Sequence, residues 1–283
     1  MTTPTSARVS IEDGVVFGTG GGRELRCDVF TPPPGTANGA GVLLLHGGGW
    51  YQGDRSQLRG YGVLLGRVGY TCVASEYRLS GEAKWPAQLD DVRTAMRWMR
   101  AHSGDLGFDA QRIAVSGNSA GGHLSLMLAA GALQGEAAAG AADTDVAACI
   151  AFYAPVNLGL PADGKVPATE PGPAARVENL PAAVGALMGD DQSASRVRAA
   201  SPISYARAAF PPTMLITGNR DEIVPSEESL RMYRALSAAG ARVELHVYEG
   251  APHAFDATPV FGRQCAGLMT LFLDRHVGQG EPH

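Results

Sequence analysis

Charge is scarce in this chain, long apolar runs are missing and cysteines are few. Of its 283 residues only 18% are charged, with 23 Lys and Arg against 28 Asp and Glu and a net charge of −5. That weakly acidic balance gives no reason to expect nucleic acid or an anionic membrane as partner. The longest apolar stretch, 146–154, falls well short of the roughly 20 residues a bilayer-spanning helix needs. The first residues, MTTPTSARVS, carry neither the basic start nor the apolar run of a secretory signal, so a cytoplasmic protein is expected. The 4 cysteines, Cys27, Cys72, Cys149 and Cys265, are too scattered for a metal knuckle or a disulfide framework. They read as reduced core residues. Hydrophobic residues make up 45%, ample for one large α/β core, so a single domain over 1–283 is expected.

Strand and helix signals alternate. RELRCDVFTPP alternates apolar and polar residues before a proline cluster and reads as an antiparallel edge strand. GVLLLH and YTCVASEY are almost continuously apolar, the pattern of strands covered on both faces. Between Pro86 and His102 the period lengthens, with Leu89, Val92, Met96 and Met99 on one helical face and Arg93, Arg97 and Arg100 on another. Further on come the strands RIAVS, VAACIAFYA, TMLIT and RVELHVYE, with helices expected near 120–133, 227–239 and 259–276. Such alternation predicts a mostly parallel sheet with helices on both faces. Two segments interrupt it: an Ala/Gly-rich surface connection over 131–145, and a Pro/Gly/Ala-rich stretch over 155–200 that leaves from a strand's carboxyl end. The second is expected to form a small cap or lid over a ligand site.

GNSAG sets Ser119 between Gly117 and Gly121, immediately after RIAVS and before a helix. A Gly-x-Ser-x-Gly unit in that context matches a nucleophile elbow, a sharp turn whose neighbours must be small. A hydroxyl is a poor nucleophile without a base, and a histidine base needs an orienting group. Both follow downstream. Asp221 lies in GNRDEIVP after TMLIT, and His253 in EGAPHAF after RVELHVYE. Glu222 is a rival to Asp221, whereas His123, His246 and His276 occupy helix or strand positions that suit packing or solvation. Upstream, HGGGW ends the strand GVLLL, and its glycines free backbone N–H groups to turn towards a developing oxyanion.

These motifs together resemble the α/β-hydrolase superfamily and, within it, esterases related to hormone-sensitive lipase; EYRLSGEAKWPAQLDD is similar to bacterial feruloyl and acetyl esterases. Asn118 stands where the lipase relatives more often place aspartate. The resemblance implies an α/β-hydrolase fold, Ser119 as nucleophile, His253 as general base and Asp221 as its orienter. It further implies an oxyanion hole from the N–H groups of Gly48, Gly49 and Ala120, and a structural role for His46. Trp50 and Tyr51, beside those glycines, are candidates to contact substrate. The stretch before His46 is short for the amino-terminal cap helices of the lipase relatives, so a comparatively open pocket roofed by 155–200 is expected.

The expected reaction is hydrolysis of short-chain acyl or carbohydrate-linked (acetyl or feruloyl) esters through an acyl-enzyme, with no metal or organic cofactor. Because the base must be neutral, activity should rise with pH through the ordinary imidazole range, roughly 6 to 7. An N-formyl amidase using the same residues and a non-catalytic binding protein on the same fold stay open as alternatives. Aspartate at the elbow would indicate a dehalogenase, and serine stands there instead. The expected partner is a small-molecule ester, without nucleic acid or membrane; a homodimer is left open.

Overall fold

The computed structural model describes residues 8–131, 144–159 and 179–278. Eight strands form one sheet in the order β1-β2-β4-β3-β5-β6-β7-β8. These are β1 (Ser10–Gly20), β2 (Arg23–Thr31), β3 (Gly41–Leu45), β4 (Thr71–Ser75), β5 (Ile113–Asn118), β6 (Ala148–Phe152), β7 (Thr213–Gly218) and β8 (Val243–Tyr248). β3 to β8 run parallel, while β2 pairs antiparallel with both β1 and β4. The helices are α1 (Arg59–Arg67), α2 (Ala87–Ala101), α3 (Ala120–Ala129), α4 (Asn179–Met188), α5 (Ala194–Ala199), α6 (Ser226–Ala238) and α7 (Pro259–His276). This is the α/β-hydrolase fold.

The apolar character of the middle strands follows from being covered twice. In β3, Leu43 and Leu45 enter one core with α2, α3 and α6, whereas Val42 and Leu44 enter a second core with α1 and α7. β6 divides in the same way, Cys149 and Ala151 facing one side and Ile150 and Phe152 the other. Successive strand side chains point to opposite faces, so a strand between two helical layers needs no polar residue. Truncating any of these leucines to alanine should cost about 2–5 kcal/mol. The predicted helical face of α2 is buried as well: Leu89, Val92, Met96 and Met99 are all fully enclosed.

One expectation is corrected. RELRCDVFT, expected at the edge, is internal, because β1 pairs outside it and forms the edge itself. β1 escaped the pattern search because two register shifts break its alternation, one of them around Gly14. All four cysteines are buried and unbridged. Among the described residues no helix is long and apolar enough to cross a membrane. The connection expected over 131–145 lies, for 132–143, outside the described residues, as does 160–178 of the expected cap. The described part of 155–200 carries α4 and α5. α4 is anchored by Lys84, whose Nζ donates to Ser80 O at 2.8 Å and to Ala186 O at 2.9 Å.

Candidate active site

In a parallel sheet, the loops that leave the strands' carboxyl ends share one edge, where ligands bind. Here those ends bring together turns from β3, β5, β7 and β8. Between β5 and α3 the chain reverses through Ser119 at φ 55° and ψ −117°, a left-handed conformation that non-glycine residues rarely adopt. Its neighbours have no room for a side chain. A Cβ on Gly121 would lie 2.0 Å from Leu45 O, and one on Gly117 would lie 2.4 Å from the Gly121 backbone. Ser119 N–H donates to Phe152 O at 2.9 Å, which fixes the turn against β6.

His253 Nε2 lies 3.1 Å from Ser119 Oγ, and His253 Nδ1 lies 2.7 Å from Asp221 Oδ2. With the ring proton on Nδ1 donated to Asp221, Nε2 is free to accept the serine proton. The Asp221 side chain is fully buried, and its other oxygen accepts from Ile223 N–H at 2.9 Å and Val224 N–H at 2.8 Å. The turn NRDEIVP therefore binds its own carboxylate. Glu222, the rival in sequence, points elsewhere: its Oε2 accepts the backbone N–H of His253 at 3.1 Å.

HGGGW forms the facing wall. Gly48 has a φ of +110°, and a Cβ there would lie 2.1 Å from Gln52 O, so only glycine fits. Gly48, Gly49 and Ala120 line the same cleft as Ser119. Among the described residues none of the three donates its N–H to another backbone group. His46 is buried, donates from Nδ1 to Gly47 O at 2.8 Å and stacks on Tyr77 at 4.2 Å; burial pulls its pKa below the ordinary value.

The two aromatics beside the glycines part company. Trp50 has 0% exposure, and its indole meets His123 edge-on at 5.1 Å within the core, whereas Tyr51 is 46% exposed. Both residues line the cleft, with the Trp50 indole packed on His123 and the Tyr51 side chain free. The other histidines also lie away from Ser119. His123 donates from Nε2 to Ala200 O at 2.8 Å, and burial lowers its pKa to about 4. His246 sits on edge strand β8 beside Glu244, and His276 packs on Phe272.

A second polar cluster abuts His253, and sequence reasoning missed it. Asp256, 6% exposed, accepts from Tyr61 OH at 2.9 Å, from Asn118 Nδ2 at 2.6 Å and from Tyr153 OH. Tyr153, at φ 36°, sets its ring edge-on to His253 at 4.6 Å. Burial and the nearby Asp256 charge raise the Tyr153 phenol well above its ordinary range. Only the position of Asp256, three residues past His253, could have hinted at it in sequence.

Serine, histidine and the glycine turn open onto a cleft of about 1240 Å³. Its lining includes Pro155, Leu180 and Ala183, with Tyr61, Val63 and Leu64 from α1 and Asp256, Thr258 and Arg263 from the segment that runs into α7. The geometry can perform proton-assisted attack by a hydroxyl beside main-chain donors suited to a developing negative charge.

Comparisons with known proteins agree on one lineage. The BD-FAE family model matches residues 27–236. Esterase LipQ of Mycobacterium tuberculosis is 32% identical over 269 residues, covering 89% of this chain and 60% of LipQ. Esterase LipC of the same organism is 32% identical over 222 residues, covering 76% of this chain and 53% of LipC. The chain thus spans little more than half the length of these curated relatives. Among solved structures, a butyrate-bound esterase from Thermogutta terrifontis superposes with a TM-score of 0.76 at 25% identity, covering 99% of this chain and 97% of that one. A truncated carbohydrate esterase from gut microbiota also reaches 0.76, with 95% and 98% covered; at 20% identity it speaks for the fold alone.

Proposed function

The chain belongs to the BD-FAE family, and on that premise we propose that it is a serine carboxylesterase acting on short-chain acyl or carbohydrate-linked esters. The observation that carries the reading is the relay Asp221–His253–Ser119, at 2.7 and 3.1 Å, beside uncommitted backbone donors. Ser119 Oγ attacks the ester carbonyl while His253 Nε2 takes its proton. The negative charge on the carbonyl oxygen is met by the N–H groups of Gly48, Gly49 and Ala120 and by the N-terminus of α3. Each such donor is worth about 10²–10³ in rate. His253 then protonates the departing alcohol, leaving an acyl-Ser119 ester. Water deprotonated by His253 frees the acid and restores the serine.

The leaving alcohol must sit against His253, which supplies its proton. α1 and the segment after His253 supply Tyr61, Thr258 and Arg263 beside Val63, Leu64 and Pro259, a mixed lining that can take a hydroxylated alcohol. Pro155, Leu180 and Ala183 remain for a short acyl group. The names of the relatives, Esterase LipQ and Esterase LipC, support ester hydrolysis.

The deciding test is Ser119→Ala assayed on p-nitrophenyl acetate, with acetyl, butyryl, octanoyl and feruloyl esters to rank the acyl group. Turnover should fall at least about 10³-fold with the thermal transition retained, and an organophosphate should label Ser119 in the wild type alone. Wild-type rates in the alanine variant would end the proposal.

A further inference from the structure

Asp256 is costly where it stands. A carboxylate at 6% exposure loses most of its hydration, and an apolar residue of similar size would spare that cost. Three donors offset it, and they come from three separate elements: Tyr61 on α1, Asn118 at the end of β5 and Tyr153 just past β6. Asp256 itself belongs to the loop that carries His253.

Two of the donors touch the reacting groups directly. Asn118 immediately precedes Ser119, and its carbonyl borders the glycine turn, where a Cβ on Gly47 would lie 2.9 Å from Asn118 O. Tyr153 holds the edge-on ring against His253 at 4.6 Å, and its backbone N–H is tied to Ile216 O at 2.6 Å. The Asn118 amide also reaches Tyr153 OH at 2.9 Å, so elbow, base and ring form one connected network around a single carboxylate.

We propose that Asp256 is a positioning residue for acyl transfer, holding the nucleophile elbow and the histidine loop in mutual register through Asn118 and Tyr153. The proposal rests on the esterase reading above. The Asp256 carboxylate is taken up by its three donors, and through them it fixes the separation across which the proton moves. Small misplacements of reacting groups cost up to about 10² in rate, so a loss in kcat with little change in KM is the expected signature.

The donor sense makes the idea testable by exchange. In Asp256→Asn one of the two acceptor oxygens becomes a donor, so a single oxygen is left for the three donors Tyr61, Asn118 and Tyr153. In the double variant Asp256→Asn/Asn118→Asp the pair is restored with its direction reversed. Measured with p-nitrophenyl acetate below the unfolding transition, Asp256→Asn should lose about 10–10² in kcat, with KM within about twofold. Its organophosphate labelling rate should fall in parallel, and the double variant should regain most of that loss. If Asp256→Asn does not fold, Tyr153→Phe keeps the ring and removes one tie. It should lower kcat by about threefold to tenfold at constant KM. Unchanged kcat in the variant that folds, or a loss the exchange does not recover, would overturn the positioning role. An inactive wild type would instead bring down the esterase reading and this one with it, so the two failures are distinct.

Discussion

Two buried carboxylates flank His253 and are held in opposite ways. Asp221 is bound by its own turn: the N–H groups two and three residues on, Ile223 and Val224, take one oxygen and leave the other for the imidazole. Asp256 is bound by side chains up to 195 residues away, with no backbone donor among its partners. The first arrangement forms wherever the turn forms. The second exists only after α1, β5 and β6 have packed around the histidine loop. Near the chemistry, then, the orienting charge is local and the frame that sets its surroundings is global.

The largest effect should come from the local member. Asp221→Asn keeps the turn but presents an amide to Nδ1, which favours the wrong imidazole tautomer; kcat should fall about 10⁴-fold while far-UV dichroism is unchanged. A loss as small as that of Asp256→Asn would erase the distinction between the two carboxylates.

His123 extends the contrast, since it too is held by a distant group, Ala200 O. The unfolded chain takes up a proton below about 6.5, while burial keeps the folded imidazole neutral until about 4. Its contribution is therefore full above 6.5 and lost as the pH falls through that window, by on the order of 3 kcal/mol at the acid end. Thermal unfolding between pH 8 and pH 4 should show this slope in the wild type and a flatter one in His123→Gln. Equal slopes would remove His123 as the cause.

The smallest effect tests the outermost tie. Tyr61→Phe removes one of three donors to Asp256 and should lower stability by about 1 kcal/mol, read from chemical denaturation. A loss above about 3 kcal/mol would mean that the cluster fails as a unit rather than tie by tie.

The same division governed what could be read from the chain. β3 to β7 were visible because a strand buried on both faces must be apolar throughout, and β8, at the sheet edge, because its residues alternate. Ser119, Asp221 and His253 could be picked out because each lies in a short turn after such a strand, with a composition the turn itself demands. β1 was missed, since its two register shifts hide the alternation that marks a strand. Trp50 could be placed beside the glycines of the cleft, but the packing of its indole against His123, distant in sequence, could not be read from the chain. Nothing in HAFDATP distinguishes Asp256 from a solvated loop acid; its three donors are dispersed along the chain.

Sequence by itself determined the strands from β2 to β8, the helices α2, α3, α6 and α7, the glycines at the elbow and the turn that binds Asp221, because each is fixed by residues within a few positions. Tertiary structure decided the 3.1 Å approach of His253 to Ser119, the packing of the Trp50 indole on His123 and why a carboxylate could be buried at 256. Those outcomes depend on distances between segments, and only packing of the two helical layers on the sheet sets such distances.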